Sequence, residues 1–277
     1  MKLKEILYGL GLKPAPQEFP FKVETIQLPQ EGPVQLARWQ HPHERPKTIT
    51  QAQIDALRQF LQPGDVAVDI GAHTGDTTLP LALAVGPTGL VLALEPNPYV
   101  FKVLEANARL NPDKTHIRPL MFAATPEDGR FEFEYSDAGF CNGGGHPGIS
   151  PWKHGHFFKL QVRGYNLLNW LKRQMPAECR RIRYLKIDTE GSDRAVAASL
   201  QELLMTNRPY LRTEIYKHLP TDERRGYYAD LRRLGYRIHK YEDDTHPMGA
   251  ELRESDMTRW PHFDVFAVPE ERGGGNP

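Results

Sequence analysis

The stretch VDIGAHTGDTT, residues 68–78, decides the fold of this chain. Its first residues complete a buried strand, predicted over 65–70, and small residues then form a turn that leads into a helix. Gly71 and Gly75 would let the backbone come close to a ligand, and the free amides at the start of the helix would point toward it. In a doubly wound sheet the first turn of this kind lies where ligands bind.

Strands and helices alternate outward from this turn. Segments 65–70 and 90–95 are nearly continuous apolar runs, which are typical of parallel strands covered on both faces. Further elements are predicted as strands at 116–123, 183–188 and 209–216, helices at 51–61, 192–205 and 221–234, a helix capped by Asn97, and two late strands at 236–242 and 262–268. The sequence therefore predicts an α/β fold of the Rossmann-like type, with a mostly parallel seven-stranded sheet and an antiparallel edge strand.

The first 50 residues lie outside this alternation and are predicted to form an N-terminal extension, with a short amphipathic helix near 3–10 and one or two strands within 21–39. The main domain is predicted to span residues 51–270, and the tail 271–277 to be disordered. Strands near 131–135 and 157–163 are predicted to form a hairpin. The glycine-rich segment between them, 136–156, is the best candidate for a lid.

The 277 residues carry 35 basic and 35 acidic side chains, so no net charge attracts nucleic acid or an anionic membrane. Cys141 and Cys179 have no CxxC spacing, which argues against a disulfide framework or a structural zinc site and for a reducing cytoplasm. The long uncharged run 77–94 contains Pro80 and the turn 86–89, so no membrane span is predicted. We expect a cytoplasmic protein whose oligomeric state is open, with a homodimer among the alternatives.

Glu95 follows the second predicted strand, where a carboxylate can accept hydrogen bonds from both hydroxyls of a ribose. A dinucleotide fingerprint, G-x-G-x-x-G counted from Gly71, would need glycine where this chain has His73 and Asp76. Those side chains crowd and repel a pyrophosphate, whereas a phosphate-free nucleoside with a cationic amino-acid tail tolerates both. The spacing therefore favours S-adenosyl-L-methionine over NAD, and Asp69 could face the ammonium group of that tail or orient a water.

Three ordered motifs resemble the FkbM family of methyltransferases: DIGAHTG at 69–75, LEPNP at 94–98 with Asn107 and Asn111 in the next helix, and LKIDTEG at 185–191. The resemblance covers about residues 64–215. It implies a class I methyltransferase fold, S-adenosyl-L-methionine as the methyl donor and, commonly, O-methylation of natural products or glycans. The chain departs from the family at His73, where asparagine is more frequent.

The motifs and the resemblance together imply the residues of a site. The residues expected to bind the cofactor are Asp69, Gly71, Ala72, His73, Gly75, Thr78, Glu95, Asn97, Ala123 and Asp188. Asp188 and Glu190, at the end of the fourth parallel strand, are the candidate catalytic residues, because an alcohol is a poor nucleophile until a base takes its proton. Two carboxylates two residues apart also repel each other, which would raise one pKa toward neutrality.

Other roles for these carboxylates stay open. Glu190 could form a salt bridge with Arg194 or another nearby base while Asp188 only anchors a loop. Glu214, at the end of the fifth strand, is a weaker third candidate for the base. Asp188 with Glu214 could also hold magnesium. No metal is predicted overall, because the loop histidines have no fixed ligand spacing; they are His41, His43, His146, His154 and His156.

The acceptor is expected to be a small molecule or a glycan. Nucleic acid is disfavoured, because the chain has neither a basic excess nor an Asn-Pro-Pro-aromatic run at the end of the fourth strand. A rival hypothesis is a non-catalytic nucleoside-binding or regulatory protein that keeps the cofactor pocket without turnover. Formation of a methylated product would distinguish the two.

Overall fold

A computed structural model describes residues 8, 11–45, 48–141, 143–144 and 157–272. The predicted N-terminal helix, most of the predicted lid and the end of the predicted disordered tail lie outside those residues. The same holds for the histidines at positions 146, 154 and 156.

Strands and helices alternate through most of the described chain. The strands are β1 (Phe21–Leu28), β2 (Gly32–Trp39), β3 (Val66–Ile70), β4 (Leu90–Leu94), β5 (Ile117–Leu120), β6 (Ala123–Ala124), β7 (Gly129–Tyr135), β8 (Gly143–Gly144), β9 (Phe158–Tyr165), β10 (Ile182–Ile187), β11 (Tyr210–Ile215), β12 (Tyr236–Lys240) and β13 (Phe263–Pro269). The helices are α1 (Gln51–Leu57), α2 (Thr78–Val85), α3 (Pro98–Arg109), α4 (Leu167–Gln174), α5 (Pro176–Cys179), α6 (Asp193–Ser199), α7 (Gln201–Asn207) and α8 (Thr221–Arg233), with short 3₁₀ turns at Glu254–Thr258 and Glu270–Arg272.

Seven strands form the central sheet, in the order β5, β4, β3, β10, β11, β13, β12. Neighbours from β5 to β11 are parallel, whereas β13 runs antiparallel to both β11 and β12. The α/β architecture and the antiparallel final pair are confirmed. The antiparallel strand lies one place inside the edge, not at the edge as predicted, because β13 inserts between β11 and β12 and pairs with both.

The order of the strands places a ligand site beside β3. All residues of β3 and β4 are buried, as their apolar runs predict for strands covered on both faces. The chain runs outward from β3 through β4 to β5 on one side, and from β10 to β11 on the other. The order therefore reverses between β3 and β10, and in open α/β sheets ligands bind beyond the carboxyl ends of the strands at such a point.

One predicted helix is interrupted. The segment 192–205 forms two helices, α6 and α7, which meet at Leu200. The amide of Leu200 donates to the carbonyls of both Val196 and Ala197, which tightens the turn, and the Leu200 side chain is fully buried. None of the helices in the described part of the chain has the length and apolar character needed to cross a bilayer.

A second, smaller sheet stands beside the carboxyl end of β5. β7 and β9 form the predicted hairpin, with Tyr135 opposite Phe158, and β9 also pairs in parallel with β6. The first part of the predicted lid, residues 136–141, is packed and not loose. Phe140 is buried and stacks on Tyr99 of α3, which fixes this segment against the helix.

The N-terminal hairpin of β1 and β2 packs against α3. The side chain of Asn107 on α3 donates to the carbonyls of Ala37 and Thr74 and accepts from the amide of Ala37. Asn111 pairs in a similar way with the backbone of Gln35. The buried Asn107 thus ties the hairpin both to the helix and to the turn after β3.

Candidate functional site

A cavity of about 1230 Å³ opens beyond the carboxyl ends of β3, β4 and β10. It exceeds the ~300–1000 Å³ of an ordinary ligand pocket, so it can hold a nucleoside and a second molecule together. Its walls come from the turn after β3, the loops after β4 and β10, part of β7, and residues 42–45, which follow the N-terminal hairpin.

The predicted site residues fall into two groups. Those that line the cavity are Gly71, His73, Glu95, Ala123, Asp188 and Glu190. Those that do not line it are Asp69, Ala72, Gly75, Thr78 and Asn97. Asp69, Thr78 and Asn97 of the second group form hydrogen bonds within the protein.

The two glycines of the turn are required by the protein's own packing. Gly71 has a φ of +80°, and a Cβ there would overlap the carbonyl oxygen of Asp188 at the end of β10. Gly75 has a φ of +94°, and its Cβ would lie 3.0 Å from Cδ1 of Leu104 on α3. A side chain at position 71 would therefore push β10 away from the turn, whereas one at position 75 would strain the backbone and shift the side chain of Leu104.

Asp69 is fully buried beneath the turn. Its Oδ2 accepts hydrogen bonds from the hydroxyls of Thr77 and Thr78, at 2.8 and 2.7 Å. Its Oδ1 lies 3.3 Å from Nζ of Lys186, an ion pair whose geometry does not form a hydrogen bond. These contacts hold the start of α2, so the structure favours a positioning role for Asp69 and Thr78.

Glu95 joins the turn after β3 to the start of α3. Its Oε2 accepts from the amide of His73 at 3.0 Å, and its Oε1 accepts from the amide of Asn97 at 2.9 Å. Burial raises the pKa of Glu95 despite these two bonds. Asn97 is fully engaged, since its side chain caps α3 at the amide of Tyr99 and donates to the carbonyl of Phe140.

Lys186 lines the cavity but is absent from the predicted site residues. Its Nζ lies 3.2 Å from Oδ2 of Asp188 and 3.3 Å from Oδ1 of Asp69, and it donates to the carbonyl of Gly71. Burial alone would lower the pKa of Lys186, but these two carboxylates outweigh burial and raise it. A lysine between the apolar Leu185 and Ile187 of a buried strand is the signal that could have identified it, because buried charges are paired.

Three carboxylates meet where β10 and β11 end. One oxygen from each of Asp188, Glu190 and Glu214 lies within 4.8 Å of the others. The side chain of Asp188 is 41% exposed, whereas Glu214 is buried. Burial, followed by the negative charge of Asp188, raises the pKa of Glu190 and raises that of Glu214 to about 10.

The alternative pairing of Glu190 with Arg194 is wrong. The guanidinium of Arg194 donates to Glu223 at 2.7 Å and to Asp230 at 2.9 Å, and both of these acids lie on α8. Arg194 is therefore engaged by that helix, and Glu190 contributes to the cavity wall.

Asp193 anchors the loop after β10. Oδ2 of Asp193 accepts from the hydroxyl of Thr189 at 3.0 Å and from the amide of Gly191 at 3.2 Å. Burial, with the charge of Asp188, raises the pKa of Asp193 to about 7. Its position in the first turn of a helix was the available sequence signal.

β7 supplies another wall, through Phe131, Glu132, Phe133, Glu134 and Tyr135. Phe140 and Phe158 do not line the cavity and instead pack with Tyr135 in a core beneath the hairpin.

Residues 42–45 bring metal-ligand side chains to the rim of the cavity. Oε2 of Glu44 lies 3.9 Å from Nδ1 of His73 and 3.8 Å from the thiol of Cys141. A second group with ligand atoms equally close is His41, His43 and Asp137. Neither group has a sequence signal, because each combines residues from segments far apart in the chain.

Comparison with solved structures finds proteins similar to this chain. One is an FkbM methyltransferase from Methylobacillus flagellatus, with 16% identity, coverage of 74% of this chain and 44% of that chain, and a TM-score of 0.45. A second is a SAM-dependent O-methyltransferase from Thermotoga maritima, with 15% identity, coverage of 89% and 77%, and a TM-score of 0.44. A third is fibrillarin from Aeropyrum pernix with bound S-adenosyl-L-methionine, with 14% identity, coverage of 92% and 97%, and a TM-score of 0.42.

The chain spans less than half of the length of the Methylobacillus protein. No curated protein sequence matches the chain significantly. The family model for the methyltransferase FkbM domain, however, matches residues 69–238, which is more than half of the chain and includes all three motifs. This chain belongs to the FkbM family of methyltransferases.

Proposed function

We propose that the protein transfers a methyl group from S-adenosyl-L-methionine to a hydroxyl oxygen of a sugar, a glycan or a small natural product. The observation that carries this proposal is that one cavity is lined both by Glu95, at the end of β4, and by Asp188 and Glu190, after β10. Glu95 can accept hydrogen bonds from a ribose, and a carboxylate after β10 can accept a proton from the acceptor hydroxyl. The methyl donor and the acceptor can therefore be held next to each other in this cavity.

The residues around Glu95 fit the proposed cofactor. Each oxygen of an ionised carboxylate accepts more than one hydrogen bond, so Glu95 can bind ribose hydroxyls while it holds two backbone amides. Asp76 also lines the cavity and would oppose a pyrophosphate, but it suits a cationic tail better than the buried Asp69. When bound, S-adenosyl-L-methionine would supply an electrophilic methyl carbon, and its sulfonium sulfur would leave as a neutral thioether.

Asp188 is the residue that we assign to take the proton. Its side chain is 41% exposed, so a hydroxyl can reach it, and Lys186 holds one of its oxygens from 3.2 Å. The proton of the hydroxyl passes to a carboxylate oxygen of Asp188 as the new bond forms, which leaves an ether and a neutral carboxylic acid. Glu190 lines the same part of the cavity and offers a second carboxylate to the acceptor.

The wall formed by β7 supports a hydroxyl-rich acceptor. Ionised carboxylates only accept hydrogen bonds, so Glu132 and Glu134 favour a ligand that carries many donors. Phe131 and Phe133 add apolar faces on which a ring can pack. The same carboxylates would repel the phosphates of a nucleic acid, which supports a small molecule or a glycan.

The thiols support a cytoplasmic location. Cys141 and Cys179 are both free and buried. Burial also raises the pKa of each thiol, which keeps it protonated and unreactive. We therefore propose that the protein works in a reducing cytoplasm.

The test is Asp188→Asn, which preserves the size of the side chain but cannot take a proton. We expect turnover to fall by about 10²–10⁴-fold, measured as S-adenosylhomocysteine released with a panel of glycosides. Binding of S-adenosylhomocysteine, measured by calorimetry, should stay within about tenfold of wild type.

Asp243→Asn is the matched control, because Asp243 is an exposed acid that does not line the cavity. It should leave turnover unchanged. Near-wild-type turnover in folded Asp188→Asn would remove Asp188 as the base. Failure of the wild-type protein to bind S-adenosylhomocysteine would refute the proposed cofactor.

A further inference from the structure

Three carboxylates converge beside the position proposed for the acceptor. One oxygen from each of Asp188, Glu190 and Glu214 lies within 4.8 Å of the other two. Opposite ligands lie about 4.2 Å apart around Mg²⁺ and about 4.8 Å apart around Ca²⁺, which is twice the metal–oxygen distance. The three oxygens therefore lie close enough together for small side-chain rotations to bring them around one hard divalent cation.

Glu214 gives an independent reason to expect a ligand here. The residue is 5% exposed, and its Oε1 lies 3.2 Å from Nε2 of His262. Its Oε2 is enclosed and has no hydrogen-bond partner among the residues that the structure describes. A buried oxygen without a partner is costly, and a cation bound among the carboxylates would supply one.

Lys186 divides its charge between two acids. Its Nζ lies 3.2 Å from Oδ2 of Asp188 and 3.3 Å from Oδ1 of Asp69. A divalent cation would add positive charge beside Asp188, Glu190 and Glu214.

We propose that Asp188, Glu190 and Glu214 bind one hard divalent cation of the Mg²⁺ or Mn²⁺ class. A site made only of oxygen ligands suits these ions, whereas zinc and copper favour nitrogen and sulfur. The catalytic role of the cation rests on the proposed function: a hydroxyl bound to it has a lowered pKa, so its proton passes more readily to a carboxylate oxygen. Binding itself does not depend on methyl transfer and can be measured alone.

The test is a titration of the EDTA-treated full chain with MnCl₂, followed by the electron paramagnetic resonance signal of free Mn²⁺. We expect one Mn²⁺ per chain, displaced by MgCl₂, and an affinity at least about tenfold weaker in Glu214→Gln and in Glu190→Gln. Asp137→Asn is the matched control, because it removes a carboxylate from the group formed with His41 and His43. This control should bind Mn²⁺ as the wild type does.

The proposal is overturned if the wild type binds no Mn²⁺ at about 1 mM, the weak end of the range for protein sites. It is also overturned if binding survives in both glutamine variants, or is lost only in Asp137→Asn. Circular dichroism will show whether Glu214→Gln folds. If Glu214→Gln does not fold, Glu190→Gln still tests the site, because that substitution lies in a loop. If the protein binds S-adenosylhomocysteine but not Mn²⁺, only the cation site is rejected. If it binds Mn²⁺ but not S-adenosylhomocysteine, only the proposed cofactor is rejected.

Discussion

Glu95→Ala should destabilise the fold as well as weaken cofactor binding. The carboxylate accepts the amides of His73 and Asn97 at 3.0 and 2.9 Å. A buried donor left without a partner costs about 1–3 kcal/mol, so two would cost roughly 2–6 kcal/mol. Because Glu95 lines the cavity, water can enter the vacated space. We therefore expect the free energy of unfolding to fall by an amount at the lower end of this range, about 2–3 kcal/mol, which corresponds to a fall of roughly 5–10 °C in Tm.

Thermal unfolding and calorimetry with S-adenosylhomocysteine measure the two effects separately. Loss of the proposed ribose contact should weaken binding by about 1–3 kcal/mol. Glu95→Gln retains one acceptor oxygen and should give an intermediate Tm. Glu132→Ala is the control, because this acid lines the same cavity but is paired with the exposed Lys159, so its free energy of unfolding should change by less than about 1 kcal/mol.

Two outcomes would refute this reasoning about Glu95. An unchanged Tm in Glu95→Ala would show that the two amides do not depend on the carboxylate. A lowered Tm with an unchanged dissociation constant would show that Glu95 holds the turn but does not bind the ribose.

Two further predictions concern backbone strain and pH. Gly71→Ala should cost more than about 3 kcal/mol in denaturant unfolding, since its Cβ would overlap a backbone carbonyl. Gly86→Ala meets open space but adopts a φ of +68° with a ψ of −178°, so backbone strain alone should cost about 1–3 kcal/mol; a cost for Gly71→Ala no larger than that for Gly86→Ala would contradict the overlap. Asp193, with a pKa of about 7, keeps in the folded state a proton that the unfolded chain releases near pH 4. The free energy of unfolding should therefore fall as pH rises from about 4 to 7, and Asp193→Asn should flatten this slope; an unaltered slope would assign it to other groups.

The fold could be predicted because its signals are local. β3 and β4 are buried on both faces, so their residues are apolar without alternation, and Asn97 caps α3 through the amide of its near neighbour Tyr99. The place of β13 could not be predicted in the same way. The neighbours of β13 in the sheet depend on packing among segments that are distant in the chain. The pattern of apolar and polar residues within a strand does not indicate which strands lie beside it.

The site could be predicted only in part. A glycine in a motif shows that no side chain fits at that position, but it does not show whether a ligand or another part of the protein fills the space beside it. Gly71 and Gly75 are expected to make room for a ligand, yet the space beside them holds the carbonyl of Asp188 and the side chain of Leu104. Lys186 illustrates the same limit. Its partner Asp188 lies only two residues further along the chain, but Asp69 belongs to β3, and only the sheet brings it beside Lys186.

The contacts of Gly71 explain why the turn and the acid cluster occur together. Its carbonyl accepts from Lys186, its amide donates to the carbonyl of Leu94, and its α-carbon lies against the backbone of Asp188. The turn therefore connects the ends of β3, β4 and β10, and a shift of Gly71 would move the binding surface and the acids at once. Substitution of the Asp188 or Glu190 side chain changes charge without moving this backbone. Substitutions at Asp188 and Glu190, and not at the glycines, can therefore separate an effect on methyl transfer from an effect on the stability of the fold.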